Sequence, residues 1–136
     1  MNESSVPTQL VDSQQDESST TAHLSLKMEV RSKLWIEVDG RAVLSDHRAA
    51  ILEGIERTGS LAKAAEELKV PYRTAWQRLK ESEEILGLRL VQTQSGGADG
   101  GGSALTPLAR DLLSRYRELS RGLGALVDGR FRETFG

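Results

Sequence analysis

Ser60-Leu61-Ala62-Lys63-Ala64-Ala65-Glu66-Glu67-Leu68-Lys69-Val70-Pro71-Tyr72-Arg73-Thr74-Ala75-Trp76-Gln77-Arg78-Leu79 is the stretch whose reading decides the fold. Leu61, Ala64, Ala65 and Leu68 fall at i, i+3, i+4 and i+7, one face of a helix that Ser60 caps at its start. Pro71 suits a first helical position, and Tyr72, Ala75, Trp76 and Leu79 repeat at helical spacing through a second helix expected over 71–86, which stops at Gly87. Small Ala64 and Ala65 let two backbones approach across a short turn, which predicts a helix-turn-helix.

Upstream, apolar and polar residues alternate over Leu24–Val30 and again over Leu34–Val38, the period of a strand. Asp39-Gly40 suits a type I′ turn, so 24–44 is read as strands closing in a hairpin. Its register is expected to pair Val38 with Arg41 and Ile36 with Val43, with Trp35 beside Leu44 on the other face. Ser45 then caps a helix over about 46–58 that ends at Thr58-Gly59, so 45–86 holds three helices. Downstream, 88–105 reads as a wing: Leu88, Leu90 and Gln92 alternate with Arg89, Val91 and Thr93, five glycines crowd Ser95–Ser103, and an apolar run resumes at Ala104-Leu105. Thr106 caps a last helix expected over 107–128. Its apolar residues Leu108, Leu112, Tyr116, Leu119, Leu123 and Leu126 follow a near-heptad seam. The fold class is therefore mainly α with β-hairpins, a winged helix-turn-helix with a long C-terminal dimerisation helix.

Composition narrows function. The chain of 136 residues has no cysteine and two histidines, His23 and His47, in unrelated segments, so no metal site, no catalytic residues, no enzyme activity and no cofactor are expected. The net charge of −2 conceals an asymmetry: residues 1–23 carry Glu3, Asp12, Asp16 and Glu17 and no Lys or Arg, which leaves 18 cations against 16 acids on 24–136. A segment so polar is read as a disordered acidic tail, and 24–136 as one domain. No signal peptide or membrane segment is evident, and a cytoplasmic location is expected.

With Tyr72, Trp76 and Leu79 placed inward, Thr74, Gln77, Arg78 and Glu81 face outward, flanked by Arg73 and Lys80. Arg and Gln there can fork onto purine edges in a major groove. Lys69 on the turn and Arg89 at the wing base lie where phosphates would run, and Tyr72 is a weaker candidate. Trp35 and Trp76 are read as core, and the acids Glu81, Glu83 and Glu84 as a solvated helix face. Gly97–Gly102 has the outer spacing of a phosphate loop, but Ser103-Ala104 follows where a Lys is needed, which excludes nucleotide hydrolysis.

The run Leu34–Gly40, Arg48 with Ile51-Leu52, Gly59-Ser60-Leu61, Ala64-Ala65, Pro71–Trp76, the glycines of the wing and Leu105-Thr106 resemble the N-terminal DNA-binding domain of ModE-type molybdate-responsive transcriptional regulators, over about residues 26–122. The resemblance implies a LysR-like winged helix that dimerises through its last helix and elements near the N-terminus, with Tyr72, Arg73, Thr74 and Gln77 in the groove. Pro71 stands where the family commonly has a Ser cap. Full-length members bind molybdate in C-terminal domains of oligonucleotide-binding type, which this chain has no length to build after its last helix, so it looks like a short form and molybdate binding is not expected of it alone. The partners expected are double-stranded DNA and a second copy, with Leu108, Leu112, Tyr116 and Leu119 at the dimer seam. The rival readings are a winged-helix protein-interaction module without DNA binding, and a LysR-type DNA-binding fragment.

Overall fold

Caps and turns set the element boundaries. A computed structural model describes residues 26–94 and 102–136 in two units, Met1–Val30 and Arg31–Gly136. The acidic tail and the glycine tip of the wing lie outside the described residues. In the first unit, residues 26–30 form no strand. The strand expected from the alternation beginning at Leu24 is therefore absent over 26–30.

In the second unit the chain runs β1 (Trp35–Val38), β2 (Arg41–Ser45), α1 (Asp46–Thr58), α2 (Leu61–Leu68), α3 (Tyr72–Leu86), β3 (Val91–Gln94), β4 (Gly102–Leu105), α4 (Pro107–Ser120) and α5 (Leu123–Phe135). Asp39 and Gly40 both adopt positive φ, 51° and 78°, as a type I′ turn requires. Val38 pairs with Arg41 as expected, but a bulge between Ile36 and Glu37 moves Ile36 onto Leu44 and Trp35 onto Ser45. The extra residue opposite Ile36-Glu37 is Val43, which the bulge buries along with Leu44.

Each helix start is held by a side chain where the sequence supplies one. Ser45 Oγ accepts from the Arg48 amide and Ser60 Oγ from the Lys63 amide, both at 3.1 Å, and Thr106 Oγ1 accepts from Ala109 N. Gly59 closes α1 at φ 77°. Pro71 is the residue before α3 rather than its first member, and it caps without a side-chain bond.

The core gathers Ala49, Ile51, Leu52 and Ile55 of α1, Leu61, Ala64 and Ala65 of α2, Ala75 and Leu79 of α3, and Leu90, Leu105, Ala109 and Tyr116 from the wing and α4. α1 and α2 cross at Gly54, where an added Cβ would lie 2.7 Å from the Ala64 Cβ. That approach depends on a glycine on one side and an alanine on the other.

Tyr116 corrects the expected dimer seam. It is 1% exposed, turned into the subunit's own core, with its hydroxyl 2.9 Å from the Leu34 carbonyl and 2.8 Å from Asp46 Oδ1. Leu112 and Leu113 also pack against the core, while Leu119 is exposed. The single long helix is corrected as well. α4 ends at Ser120, Gly122 takes a left-handed φ of 79°, and α5 continues to Phe135 with no buried residue. Glycine is costly in a helix interior and free in that conformation, so the break falls there.

Burial, then the hydrogen bond to Asp46 and its charge, raise the Tyr116 phenol to about 12, against a smaller opposing effect of Arg117. The folded protein thus holds this proton through a range where the unfolded chain releases it, from the ordinary value of 10.0 upward. Stability from this hydroxyl is complete below pH 10 and is lost as pH climbs towards 12. Wild type is expected to exceed Tyr116→Phe by about 1 kcal/mol near neutral pH, the size of one buried hydrogen bond. Urea titrations across the alkaline range should show that margin closing; a margin that persists contradicts the assignment.

Candidate nucleic-acid interface

The turn between α2 and α3 is closed by backbone bonds. Lys69 N donates to Glu66 O at 3.1 Å and Val70 N to Ala65 O at 3.0 Å. Lys69 itself sits at φ 60°, a left-handed position that glycine fills more readily. A long cationic side chain is carried there at a conformational cost of about 1 kcal/mol.

α3 buries Ala75, Leu79, Ser82 and Glu83. The inward stripe expected from Tyr72, Trp76 and Leu79 is thus corrected: Tyr72 is 53% and Trp76 44% exposed. Ala75 is small enough to take the line of closest approach to the core, Tyr72 lies in the first turn beyond its edge, and Trp76 falls on the flank. Trp35, also read as core, is 48% exposed with its indole N–H donating to Glu37. On the outer side of α3, Arg73 and Gln77 are exposed, and they line a shallow hollow with Tyr72 and Trp76. Thr74 and Arg78, expected to face outward, are half-buried.

The cations divide into two groups. Lys69, Arg73 and Arg89 are exposed, and no hydrogen bond or ion pair among the described residues engages their side chains. Lys80 lies 3.4 Å from Glu83 Oε1 and over the Trp76 ring at 5.8 Å, and Arg78 lies 3.8 Å from Glu81. The structure therefore leaves Lys69, Tyr72, Arg73, Gln77 and Arg89 exposed, and keeps Lys80 and Arg78 beside acids of their own helix.

Three residues escaped the sequence reading. Arg48 of α1 reaches across to α3, donating from Nη1 to the Arg78 carbonyl at 2.7 Å and Ser82 Oγ at 3.0 Å, and from Nη2 to Glu81 at 3.0 Å. Ser82 Oγ in turn donates to the Val43 carbonyl at 2.8 Å, which ties α3 to the hairpin. Glu83, grouped with the solvated acids, is buried. Sequence spacing holds no signal for any of these bonds, since each joins segments set together by the tertiary fold. His47, next to Arg48, is held below its ordinary value by partial burial and then by Arg78 and Arg48, which favours its neutral form. Among the described residues no group of three or more His, Cys, Asp or Glu could hold a metal ion, and no helix is long and apolar enough to cross a membrane.

A helix-turn-helix followed by a two-stranded wing defines the class, a winged helix-turn-helix, and residues 47–110 match the family model of the bacterial regulatory helix-turn-helix protein, lysR family. The chain is similar to the DNA-binding region of ModE-type regulators. It is 40% identical over 72 residues to the Molybdenum transport protein ModE of Herbaspirillum seropedicae, covering 53% of this chain and 27% of that protein. It is 35% identical over 88 residues to the Transcriptional regulator ModE of Haemophilus influenzae, covering 65% and 34%. The Molybdenum-pterin-binding protein MopB of Rhodobacter capsulatus is 34% identical over 86 residues, covering 63% and 32%. The chain thus spans about a third of the length of the curated relatives it matches.

Proposed function

We propose that this chain is a sequence-specific DNA-binding transcriptional regulator that acts as a dimer in the cytoplasm and has no catalytic activity, with α3 in the major groove and the wing on the backbone. The observation that carries this reading is a set of exposed side chains with no partner among the described residues, carried by the helix-turn-helix and the wing base: Arg73 and Gln77 on the outer face of α3, Lys69 on the turn, Arg89 before β3. A lysine kept at the left-handed C-cap of α2, where glycine fits at less cost, supports a contact that uses its charge. Lys80, drawn to Glu83, is less available to a phosphate than Lys69 or Arg89.

Lys69, Arg73 and Arg89 bring three positive charges per subunit to the DNA, Lys69 and Arg89 to phosphates and Arg73 to a base edge between them. A dimer therefore displaces counterions at about six sites and, with about 0.9 released per site, log K should fall with log salt at a slope of roughly −5. Binding of a duplex selected from a random pool, followed by fluorescence anisotropy over a salt series, measures it. Lys69→Gly with Arg89→Gln removes two charges per subunit while leaving the turn in a conformation glycine adopts freely, and should flatten the slope by about 4 units with base preference retained. A wild-type slope near −2 refutes the docking.

The dimer is placed on the large apolar side chains that α4 and α5 leave exposed: Leu119 of α4 with Leu126 and Phe135 of α5. Leu112 packs against the subunit core and Tyr116 lies within it, so neither is a clean probe of association. Leu119→Asp with Leu126→Asp is expected to give a folded monomer by light scattering with operator affinity reduced at least tenfold. A wild type that is monomeric at tens of micromolar contradicts the arrangement.

A further inference from the structure

The wing hairpin is fastened to the rest of the domain at several points. Ser103 N donates to the Gly59 carbonyl at 2.8 Å, where an added Cβ on Gly102 would lie 3.0 Å from that same oxygen. Thr106 Oγ1 donates to the Arg89 carbonyl at 2.9 Å, and Thr106 N to the Leu90 carbonyl at 2.9 Å. Those bonds join the wing to the α1–α2 turn and to its own second strand. None of them joins it to the helix that reads DNA.

Glu83 does. Its side chain springs from the buried face of α3 and its Oε2 accepts from two successive backbone amides at the root of the wing, Leu90 N at 2.9 Å and Val91 N at 3.2 Å. Its other oxygen faces Lys80 Nζ at 3.4 Å on the outer flank of α3. A carboxylate leaves water only where hydrogen bonds or charge compensate it, and here the compensation comes from the wing root on one side and the recognition helix on the other. Among the described hydrogen bonds, this is the one made by an α3 side chain to the wing.

The geometry points to Glu83 as a positioning residue for DNA binding, one that makes α3 and the wing root a single rigid unit and so sets where Arg89 meets the phosphate backbone. This inference rests on the DNA-binding reading above. Glu83 touches no DNA in this scheme; it acts through Arg89, the residue directly before the two amides it holds. Both bonds run to the same oxygen, so a glutamine carbonyl in that position can keep them, whereas a methionine fills the space and supplies no acceptor.

The test compares Glu83→Met with Glu83→Gln in the full chain, each with and without Arg89→Ala. The readouts are amide hydrogen exchange without DNA and salt-dependent binding of a duplex selected by the wild-type protein. Glu83→Met should speed exchange at Leu90 and Val91 at least tenfold beyond the rest of the core, and flatten the salt slope by about 2 units, one phosphate per subunit. Arg89→Ala should then add nothing to the slope in that background, while Glu83→Gln keeps both the protection and the full effect of Arg89. Unchanged exchange at the two amides overturns the proposal, as does an Arg89→Ala effect equal in the wild-type and Glu83→Met backgrounds. Should Glu83→Met unfold, Glu83→Asp, one methylene short of both amides, carries the same comparison. A wild-type protein that selects no duplex at all overturns the DNA-binding reading together with this role, and is told apart from failure of the role alone by that first step.

Discussion

Arg73→Ala combined with Gln77→Ala is expected to remove most of the preference of this protein for its own site over random DNA. Each forked contact to a purine edge contributes about 1–3 kcal/mol of discrimination, so the pair contributes roughly 2–6 kcal/mol per half-site, a loss of about 30-fold to more than 10⁴-fold in the specificity ratio. These two residues are chosen because they are exposed on the outer face of α3, and no hydrogen bond or ion pair among the described residues engages their side chains. Arg78→Ala makes the contrasting variant. Its side chain is half-buried near Glu81, and the group of Arg78 that the fold uses is its carbonyl, which receives Arg48. It should therefore change specificity far less. Competition between a selected duplex and bulk DNA reads the ratio, with circular dichroism confirming that both variants are folded. A double variant with the wild-type ratio would place base reading elsewhere on the molecule.

Gly54→Val is expected to be the most damaging single change to the fold. An added Cβ would lie 2.7 Å from the Ala64 Cβ and 3.2 Å from its Cα, on a helix pair whose separation is fixed by the rest of the core. Overpacking of this kind costs about 3 kcal/mol, and for a domain near 100 residues that lowers Tm by roughly 12–20 °C. Moving α2 away from α1 would also carry the turn and α3 with it, so DNA affinity should fall in step with stability. Ala64→Gly in the same chain should return part of the lost Tm by clearing the contact from the other side. Calorimetry on the single and double variants measures both effects; additive losses instead of partial rescue would mean that Gly54 and Ala64 do not meet as described.

Local chemistry made much of this protein legible in its sequence. Asp39-Gly40 announces a turn needing two positive φ values, and both residues adopt them. Ser45, Ser60 and Thr106 announce helix starts, and each accepts the amide that a cap accepts. Gly59 and Gly87 end helices in the left-handed conformation. These features depend on a few neighbouring residues, so spacing alone reveals them, and with them the order of helices and hairpins.

What spacing could not decide was which of several apolar residues on a helix the core would accept. Tyr72, Trp76 and Leu79 satisfy a helical period as well as Ala75 and Leu79 do, and only the closeness of α1, α2 and the hairpin selects the alanine and leaves the tryptophan outside. The same holds for Tyr116, which reads as one more member of a leucine seam until Leu34 and Asp46 are brought to its hydroxyl from 82 and 70 positions away. Helical spacing sets Glu83 one turn after Leu79 on the inward face, apart from Glu81 and Glu84, but what compensates a carboxylate there is decided by the fold, where the wing returns two amides to it. A cap is a contract between neighbours along the chain. Burial is a competition for limited space among segments distant in sequence, and its outcome is written in their packing.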